Sequence, residues 1–491
     1  MGNYIKQEDR YQVMMFPPRI EDLVPRDHPS RVIDSFVESL DFNKVKLKGD
    51  NDRCGRPRYN PKVLIKLLLY GYSINMRSSR ALEKLSYDNI SAIWLTGNSH
   101  PDFSTIARFR SDNLEMMKEL LKYTIELYLK INLRFEPIIY VDGTKLLANA
   151  SDSATVSEER IQRMEKLAEK ILLEAEEIDM AEDKQLGEGN SGNKVSKEAL
   201  AELQEKIAGY KKEFARRGGK YNSTDPDAVF MRGKKGLITS YNGQISVDDN
   251  GVILEADVTN KGTDNSELRN RISGTEANTG VTVEKVVADS GYFGYNEVKE
   301  LLEEGKGVIV KPTNEVGKER GKRKGKFEER DFIYREESDT YLCPDNKELR
   351  FYGRKQKGSK MYRIYKVRWE ECMGCRLRSQ CCSGRGVRRL GVCGDKAFNR
   401  EYGKIWLEEG NRKLYRRRKY KVEPVFGVIK SVLKFRGCSL RGLDKVKGEW
   451  NLIAAVYNLM KLRKLGIQGK MNTLLSSGSI LTYWEMRYIY N

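Results

Sequence analysis

The stretch EPIIYVDGTKL, residues 136–146, decides the fold class of this 491-residue chain. Four strand-forming residues, Ile138 to Val141, run up to Asp142, a pattern that predicts a buried strand with an aspartate at its end. The stretch VEKVVADSGYFG (283–294) repeats the pattern and places Asp289 at the end of another apolar run. We therefore expect a core that contains a sheet.

The elements between and after these strands predict a mixed sheet covered by helices on both faces. The stretch LITSYNGQISVDDNGVILEADVTN (237–260) predicts two strands joined by a turn at Asp249-Asn250-Gly251. Helical patterns follow in NSELRNRIS and in YNEVKELLEEG, and KGVIVKP (306–312) predicts a fifth strand. The fold class expected from this alternation is α/β.

Residues 1–132 predict an N-terminal all-helical domain. Helices are indicated at 61–74, at 78–88 after a serine cap, and over 101–130, where Ser104 is the expected N-cap. Arginines near the helix starts, among them Arg108 and Arg110, are typical of a helix-turn-helix module that binds DNA. An ordinary helical bundle with solvated arginines has the same pattern, so both interpretations stay open here.

Charged and cysteine-rich segments interrupt the core and set the other expected boundaries. Apolar residues at heptad spacing within 151–222 predict an antiparallel helical hairpin, inserted into the first part of the core. The expected domains are 133–312 for that first part, 313–400 for a basic linker and a cysteine-rich insertion, 401–470 for the helical C-terminal part of the core, and 471–491 for a tail without interpretable pattern.

The composition favours an anionic partner. The formal net charge is +19 and the pI is about 9.3, which suits nucleic acid first and an anionic membrane surface second. No stretch approaches the roughly 18 apolar residues of a membrane span, and the N-terminus lacks the apolar segment of a signal peptide. We therefore expect a soluble protein of the cytosol or nucleoid that is not associated with a membrane.

Histidine is nearly absent, which limits the chemistry. His28 and His100 are the two histidines of the chain. A site with several histidine ligands is excluded, so catalysis must depend on carboxylates, lysines or cysteines.

The stretch KYKVEPVFGVIKSVLKFRG (419–437) contains one carboxylate, Glu423, in a strongly basic segment. A proline follows it directly, so Glu423 is expected to open the last helix. If the first and fourth strands are neighbours, Asp142 and Asp289 meet at one rim of the sheet, and this helix brings Glu423 beside them.

Three carboxylates of this kind are hard oxygen ligands that suit Mg²⁺ or Mn²⁺. Two such ions about 3.5–4 Å apart activate water and stabilise the leaving oxygen of a phosphodiester. Lys430, seven residues after Glu423, is expected on the same helix face, within reach of a phosphate. Each carboxylate alone is common at a turn or a helix start, and it is the combination that favours catalysis.

Six of the eight cysteines lie between residues 343 and 393. In a cytosolic chain this clustering indicates metal binding rather than disulfides. Cys343, Cys372, Cys375 and Cys381 have the spacing of a zinc knuckle and predict a closed, structural Zn²⁺ site. Cys382 or Cys393 is an alternative to one of these ligands, and a set of free, reduced thiols is the alternative to zinc.

In this order the motifs resemble the DDE transposases of bacterial insertion sequences, in the IS4/IS5-like superfamily and most closely the IS1182 family. The resemblance covers about residues 10–465 and is carried by GRPRYNPKVLIKLLLYGY, PDFSTIARFR, YVDGTKLLANAS, ADSGYF, CMGCRLRSQC and VEPVFGVIK. It implies an RNase H-like core in which Asp142, Asp289 and Glu423 form the metal-binding catalytic triad. The implied activity is binding of the terminal inverted repeats, strand cleavage by water and strand transfer to target DNA.

The chain departs from the superfamily at one signature, which is Tyr, two residues, Arg, three residues, Glu, six residues and Lys. Glu423 and Lys430 fit, but Arg416 stands at the Tyr position and Lys419 at the Arg position. The residues expected to contact double-stranded DNA are Arg108, Arg110, Tyr415, Arg416, Arg418, Lys419 and Lys430. For Tyr415 and Tyr420, stacking on an unpaired base and packing beneath the helix both stay open.

Two other functions remain to be weighed against transposition. A domesticated, non-catalytic regulator would keep DNA binding but would not need three carboxylates, and a plain nuclease would use the same site. Because transposition brings two DNA ends together, a homodimer in the DNA complex is expected.

Overall fold

The computed structural model describes residues 19–42, 47, 57–131, 136–186, 194–233, 236–312, 327, 331–357, 360–382, 386–393 and 396–464. Cys54, most of the basic run GKERGKRKGKFEER (317–330) and the predicted tail lie outside the described residues. The chain divides into two compact units. Unit 1 comprises Met1–Asp264, Arg271–Thr282 and Lys421–Asn491, and unit 2 comprises Asn265–Asn270 and Val283–Tyr420.

The N-terminal region of unit 1 is helical, as predicted. Its helices are α1 (Pro29–Glu38), α2 (Pro61–Ser73), α3 (Ser79–Asp88), α4 (Ile90–Thr96), α5 (Phe103–Asp112) and α6 (Leu114–Ile131). Asn60 caps α2 by accepting the Lys62 N–H at 2.9 Å, and Ser78 caps α3 by accepting the Ala81 N–H at 3.1 Å. These two helix starts confirm the sequence pattern.

The single long helix predicted over 101–130 is two helices. Asn113 leaves the helical conformation, and its side-chain amide donates to the Phe109 carbonyl at 2.8 Å. Asp102 rather than Ser104 is the N-cap of α5, because its carboxylate accepts the N–H groups of Ser104 and Thr105 at 3.0 and 2.9 Å. A carboxylate at this position also interacts favourably with the helix dipole.

The strands of unit 1 form an antiparallel arrangement around one long strand. This strand, β5 (Gly236–Val247), pairs with β1 (Ile138–Leu147), with β4 (Val229–Gly233) and with β6 (Ile253–Thr259). The predicted turn between β5 and β6 is confirmed, since the Asp248 carboxylate accepts the N–H groups of Asn250 and Val252. The short strand β4 was not predicted.

A C-terminal helix, α15 (Leu443–Lys464), completes the core of unit 1. It is apolar around most of its circumference, which is typical of a helix buried on all sides. Trp450 Nε1 donates to the Gln244 carbonyl at 2.9 Å, and Asn458 Nδ2 donates to the Ile253 carbonyl at 2.8 Å. None of the helices in the described ranges is long and apolar enough to cross a membrane.

The predicted helical hairpin is confirmed. It consists of α7 (Glu158–Leu186) and α8 (Lys194–Arg217), and the short strands β2 (Thr155–Val156) and β3 (Tyr221–Asn222) pair antiparallel at its base. Ile161, Ala168 and Ile207 form its buried seam, and Lys211 makes an ion pair with Glu165 across the two helices.

Unit 2 contains a parallel pair of strands, β7 (Lys285–Ala288) and β8 (Gly307–Val310), joined through α10 (Tyr295–Glu303). Helix α13 (Lys396–Leu407) holds the end of β8, because the Tyr402 hydroxyl donates to the Val310 carbonyl at 2.6 Å and accepts its N–H at 2.9 Å. Helices α9 (Leu268–Thr279) and α14 (Glu409–Gly427) contribute residues to both units.

The cysteine-rich segment of unit 2 is built on a sheet that was not predicted. Five antiparallel strands follow the order β13-β12-β11-β10-β9. Their bounds are β9 (Ile333–Arg335), β10 (Thr340–Leu342), β11 (Glu348–Lys357), β12 (Lys360–Val367) and β13 (Arg389–Cys393), with the short helices α11 (Trp369–Met373) and α12 (Arg378–Cys381) before β13. One face of this sheet has its own core, formed around Leu349, Tyr365 and Val392.

Candidate active site

Asp142 lies inside β1 and not at its end, contrary to the prediction. The strand continues to Leu147 because residues 143–147 stay paired with β5, from Gly143 opposite Gln244 to Leu147 opposite Ser240. Asp-Gly is a frequent turn sequence, but here the pairing with a neighbouring strand prevails over that local preference. The Asp142 side chain is half-buried, and its Oδ1 accepts the Gly143 N–H at 2.9 Å.

Gly143 is required by a close approach on the opposite side of the strand. A Cβ at this position would lie 2.6 Å from Gln244 Nε2 and 2.9 Å from Asp264 Oδ1. Asp264 Oδ1 accepts hydrogen bonds from Asn242 and Gln244, both at 2.7 Å. The glycine therefore leaves room for a polar cluster behind the residue next to Asp142.

Lys430 lies beside the strand that carries Asp142. Side chains two residues apart in a strand point to the same face, so Thr144 shares the face of Asp142. Lys430 Nζ donates to Thr144 Oγ1. Burial lowers the pKa of Lys430, while the charge of Asp142 acts in the opposite direction. The structure thus brings together Asp142, Thr144 and Lys430 in unit 1.

The segment after Lys430 is fastened to the end of β1. The Leu147 N–H donates to the Arg436 carbonyl at 3.2 Å, and the Cys438 N–H donates to the Leu147 carbonyl at 2.8 Å. Arg77 supports the same segment, since its guanidinium donates to the Lys434 carbonyl at 3.1 Å and lies 5.1 Å from the centroid of the Phe435 ring. These contacts fix the position of Lys430 relative to Asp142.

Glu423 lies in the last turn of α14, whereas the sequence predicted that it opens a helix. The helix begins earlier, at Glu409, and includes Pro424. A π-helix, Val428–Val432, follows directly. Because a π turn contains more residues than an α turn, Lys430 does not fall two α-helical turns after Glu423 as predicted. Such π turns inside helices are frequent at functional sites.

The position of Glu423 is set by its inward-facing neighbours. Lys421 Nζ makes an ion pair with Asp249 Oδ1 at 3.5 Å, on the turn between β5 and β6. Val422 and Val425 are buried, while Glu423 itself is exposed. An exposed carboxylate on an anchored helix end is available to a ligand.

Asp289 follows β7 directly in unit 2, as predicted. Its Oδ1 accepts the Gly291 N–H at 2.8 Å and thereby caps a short 3₁₀ helix, Ser290–Tyr292. The preceding residues Val286 and Val287 are fully buried, and Asp289 is half-buried. A rigid strand therefore delivers this carboxylate to a partly solvated position.

The described residues contain no recognisable metal site. Within the part of the chain that the structure describes, no group of three or more histidine, cysteine, aspartate or glutamate side chains lies close enough together to hold a metal ion. Sequence reasoning also missed Thr144, although its position two residues after Asp142 in a strand is a usable signal.

Two of the four predicted zinc ligands, Cys372 and Cys381, lie near Cys382. Cys372 Sγ and Cys382 Sγ are 3.8 Å apart, and Cys382 is also hydrogen-bonded to Cys381. Burial raises the pKa of Cys381 to about 12, and burial also raises the pKa of Cys382.

The other two predicted ligands have different contacts. The Cys375 thiol donates to Asp345 Oδ2 at 3.4 Å, and Cys343 Sγ accepts the Lys347 N–H at 3.3 Å. The structural zinc site therefore stays a prediction, and the side chain of Cys393 lies outside the described part.

The two arginines predicted to contact DNA from α5 have opposite environments. Arg108 is exposed, whereas only 6% of Arg110 is exposed. Arg110 donates to the Tyr72 hydroxyl at 3.0 Å and to the Arg77 carbonyl at 2.7 Å. Arg110 therefore stabilises the interior of unit 1 and is not part of the proposed DNA surface.

The basic residues predicted to contact DNA from α14 lie before residue 421, in unit 2. Tyr415 packs edge-on against Trp406 at 4.9 Å between ring centroids, and Arg418 lies 5.9 Å from the Tyr415 ring. Arg416 is paired with Glu409, and Lys419 is exposed. Tyr420 is 77% exposed, so packing describes Tyr415 and leaves Tyr420 available for stacking.

Comparison with protein families identifies the class of the chain. Two family models, each described as "Transposase DDE domain", match residues 216–370 and 342–463, and a model described as "Transposase domain (DUF772)" matches residues 18–112. No curated protein matches the chain. Asp289 and Glu423 lie inside the stretches matched by the two DDE models. Asp142 lies between the stretch 18–112 and the stretch 216–370. Together these matches indicate that the chain is a DNA transposase of the DDE type.

Proposed function

We propose that this transposase cleaves and joins DNA strands by a metal-dependent reaction at Asp142, Asp289 and Glu423, within an RNase H-like core. The observation that carries the proposal is the match to transposase DDE domains over the segments that contain Asp289 and Glu423. The contact of Lys430 with Thr144, next to Asp142 on the same strand face, supports it. Its substrates are the terminal inverted repeats of an insertion sequence of the IS1182 type and a target DNA.

The three carboxylates fit divalent magnesium or manganese by their chemistry, because they supply only hard oxygen ligands. When bound, the metal activates water and stabilises the leaving oxygen at the scissile phosphate. The chain itself supplies the positioning. The paired strand β1 orients Asp142, β7 and a backbone N–H orient Asp289, and Lys430 holds a positive charge close to where a phosphate would lie.

Cleavage of labelled transposon ends tests the proposal. Wild-type protein should nick the ends and join them to target DNA with Mg²⁺, and should do neither when Mg²⁺ is left out. Asp289→Asn should bind the same DNA with unchanged affinity but lose at least about 10³-fold in rate, because a ligand to the catalytic metal is lost. DNA binding without cleavage by the wild type would instead identify a non-catalytic regulator.

We also propose that the cysteine cluster holds one structural Zn²⁺, with Cys382 in place of Cys375. The 3.8 Å distance between Cys372 Sγ and Cys382 Sγ supports this choice, and the N–H donated to Cys343 Sγ stabilises a thiolate there. Four thiolates form a closed tetrahedral site. Metal analysis of purified protein should give one zinc per chain, and Cys382→Ser should lower that value while Cys375→Ser should not.

The assembly and location follow from the proposed reaction. Two transposon ends react together, so we propose a homodimer in the DNA complex, in the cytoplasm at the bacterial nucleoid. Light scattering of the protein with and without end DNA measures the first point. A complex with a single chain bound to paired ends would contradict it.

A further inference from the structure

Three cations stand in register across the five-stranded sheet of unit 2. Arg350 in β11 lies directly opposite Lys366 in β12, and Lys366 lies directly opposite Arg389 in β13. Adjacent strands are about 4.8 Å apart, so the row of three residues extends over roughly 10 Å. We call these three residues the cation row.

The cation row lies on the outer face of the sheet. Alternate residues of a strand point to opposite faces, and the neighbours of the row in sequence point into the core. Leu349, Tyr365 and Leu390 are buried there, with exposures of 0%, 0% and 3%. Arg350 and Arg389 are exposed, and Lys366 is partly exposed. The row therefore faces solvent.

Repulsion within the cation row destabilises the sheet of the unbound protein. Like charges directly opposite each other in a sheet are destabilising. Arg350 has one carboxylate partner, Glu348, at 3.0 Å. Lys366 and Arg389 make no ion pair with any residue in the described ranges. A bound polyanion would remove the repulsion that the fold leaves uncompensated.

An exposed aromatic residue adjoins the row. Tyr352 is 63% exposed, and Lys366 Nζ lies 4.9 Å from the centroid of its ring. Lys355, further along the same strand and opposite Tyr362, shares this face and is exposed as well. Cations beside an exposed aromatic side chain are the combination by which proteins bind nucleic-acid backbones and unstacked bases.

We propose that the outer face of this sheet, centred on the cation row, is a DNA-binding surface that contacts the phosphate backbone. The proposal rests on the proposed transposase function and adds a surface to the segments predicted from sequence. Charge complementarity supports it, because Lys366 and Arg389 stand in register with no carboxylate partner in the described ranges and match neighbouring phosphates of a DNA backbone. Such contacts position DNA without reading its sequence.

Salt-dependent DNA binding tests the surface. The variant carries both Lys366→Gln and Arg389→Gln in the full chain. A fluorescently labelled duplex of random sequence is titrated without added Mg²⁺ or Mn²⁺, so that no strand is cleaved, at several NaCl concentrations. Each lost phosphate contact lowers the slope of log Kobs against log salt by about 0.9, so the slope should fall by about 1.8. The affinity should fall most at low salt.

A matched control removes the same charge elsewhere. Lys170→Gln with Lys206→Gln neutralises two exposed lysines of the helical hairpin and should leave the slope nearly unchanged. An unchanged slope in the Lys366/Arg389 variant overturns the proposal and leaves the row to another anionic occupant, while wild-type cleavage still stands. Failure of the wild type to bind any duplex overturns the transposase proposal too. Circular dichroism verifies that both variants are folded.

Discussion

Two groups of basic residues in this protein have opposite surroundings. Arg110 and Arg77 in unit 1 donate to protein acceptors, among them the Tyr72 hydroxyl and the carbonyls of Arg77 and Lys434. Lys366 and Arg389 in unit 2 stand opposite another cation and have no carboxylate partner in the described ranges. The fold supplies hydrogen-bond acceptors to the first group, and the second is left for a ligand.

The comparison shows that a basic residue acquires its role from the acceptors that the fold places around it. Tyr72 links Arg110 to Glu449 in α15, because its hydroxyl also donates to Glu449 Oε1 at 3.0 Å. Glu449 in turn accepts the Ser439 N–H at 2.8 Å. This buried network joins the N-terminal helices to the C-terminal helix, so its arginine stabilises unit 1 and is not free for DNA.

The largest expected effect is on stability, from removing Arg110. Arg110→Ala leaves buried acceptors without a donor and should lower the free energy of unfolding by about 3 kcal/mol or more. Arg108→Ala, two residues away on the same helix, should change stability by less than about 0.5 kcal/mol. Urea denaturation measures both.

In DNA binding the order of the two variants should be reversed, with the larger effect for Arg108→Ala. Arg108→Ala should reduce the salt slope by about 0.9, as expected for one lost phosphate contact. Folded Arg110→Ala, studied at low temperature, should keep the wild-type slope. If Arg110→Ala were as stable as wild type but bound DNA more weakly, the contrast between the buried and the exposed cations would be lost.

Local patterns predicted elements well where short-range forces decide. The serine cap of α3, the β5–β6 turn and the position of Asp289 after β7 all depend on neighbouring residues. Their side chains bind backbone groups only two to four residues away, so the local sequence contains the whole interaction. Asp289 was placed correctly for this reason.

Features that depend on distant partners were not predictable. Asp142 is inside a strand because β5, about 100 residues later, pairs with residues 143–147. Arg110 is buried because Tyr72 supplies its acceptor. The five-stranded sheet was not predicted because its strands break the apolar–polar alternation: a β-bulge interrupts β11 between Phe351 and Gly353, and Arg363 shares the core face with Tyr365. In the same way, the segment before Glu423 looked like a DNA-binding run and not like the body of a helix.

Lys430 is intermediate between the two groups, because it is partly buried and has a protein acceptor, Thr144, yet lies beside a proposed metal ligand, Asp142. Its pKa is lowered by burial, so the folded protein binds this proton less tightly than the unfolded chain does. Between the folded pKa and about 10.4, the unfolded state holds more protons and stability rises with pH. Lys430→Met should therefore be more stable than wild type at pH 7, and this advantage should shrink as the pH approaches 10. Denaturation of both proteins at several pH values measures it.

Lys430→Met should also lose strand cleavage while keeping most DNA affinity, because one phosphate contact among many is removed. Thr144→Val is the matched variant, since it removes the acceptor but leaves the ammonium in place. A variant that gained no stability at pH 7 would show that the Thr144 contact and the Asp142 charge fully compensate for the burial of Lys430.

The smallest expected effect concerns the repulsion within the cation row itself. Arg389→Gln removes one of two like charges that face each other and should stabilise β12 and β13 by about 0.2–1 kcal/mol at low salt. High salt screens the repulsion, so the gain should vanish there. Arg376→Gln, which breaks an exposed ion pair with Asp345 at 3.3 Å, should give no gain. Hydrogen exchange of peptides from β12 and β13 measures these differences. A loss of protection in Arg389→Gln at low salt would mean that the fold supplies a hydrogen-bond acceptor to Arg389, as it does to Arg110.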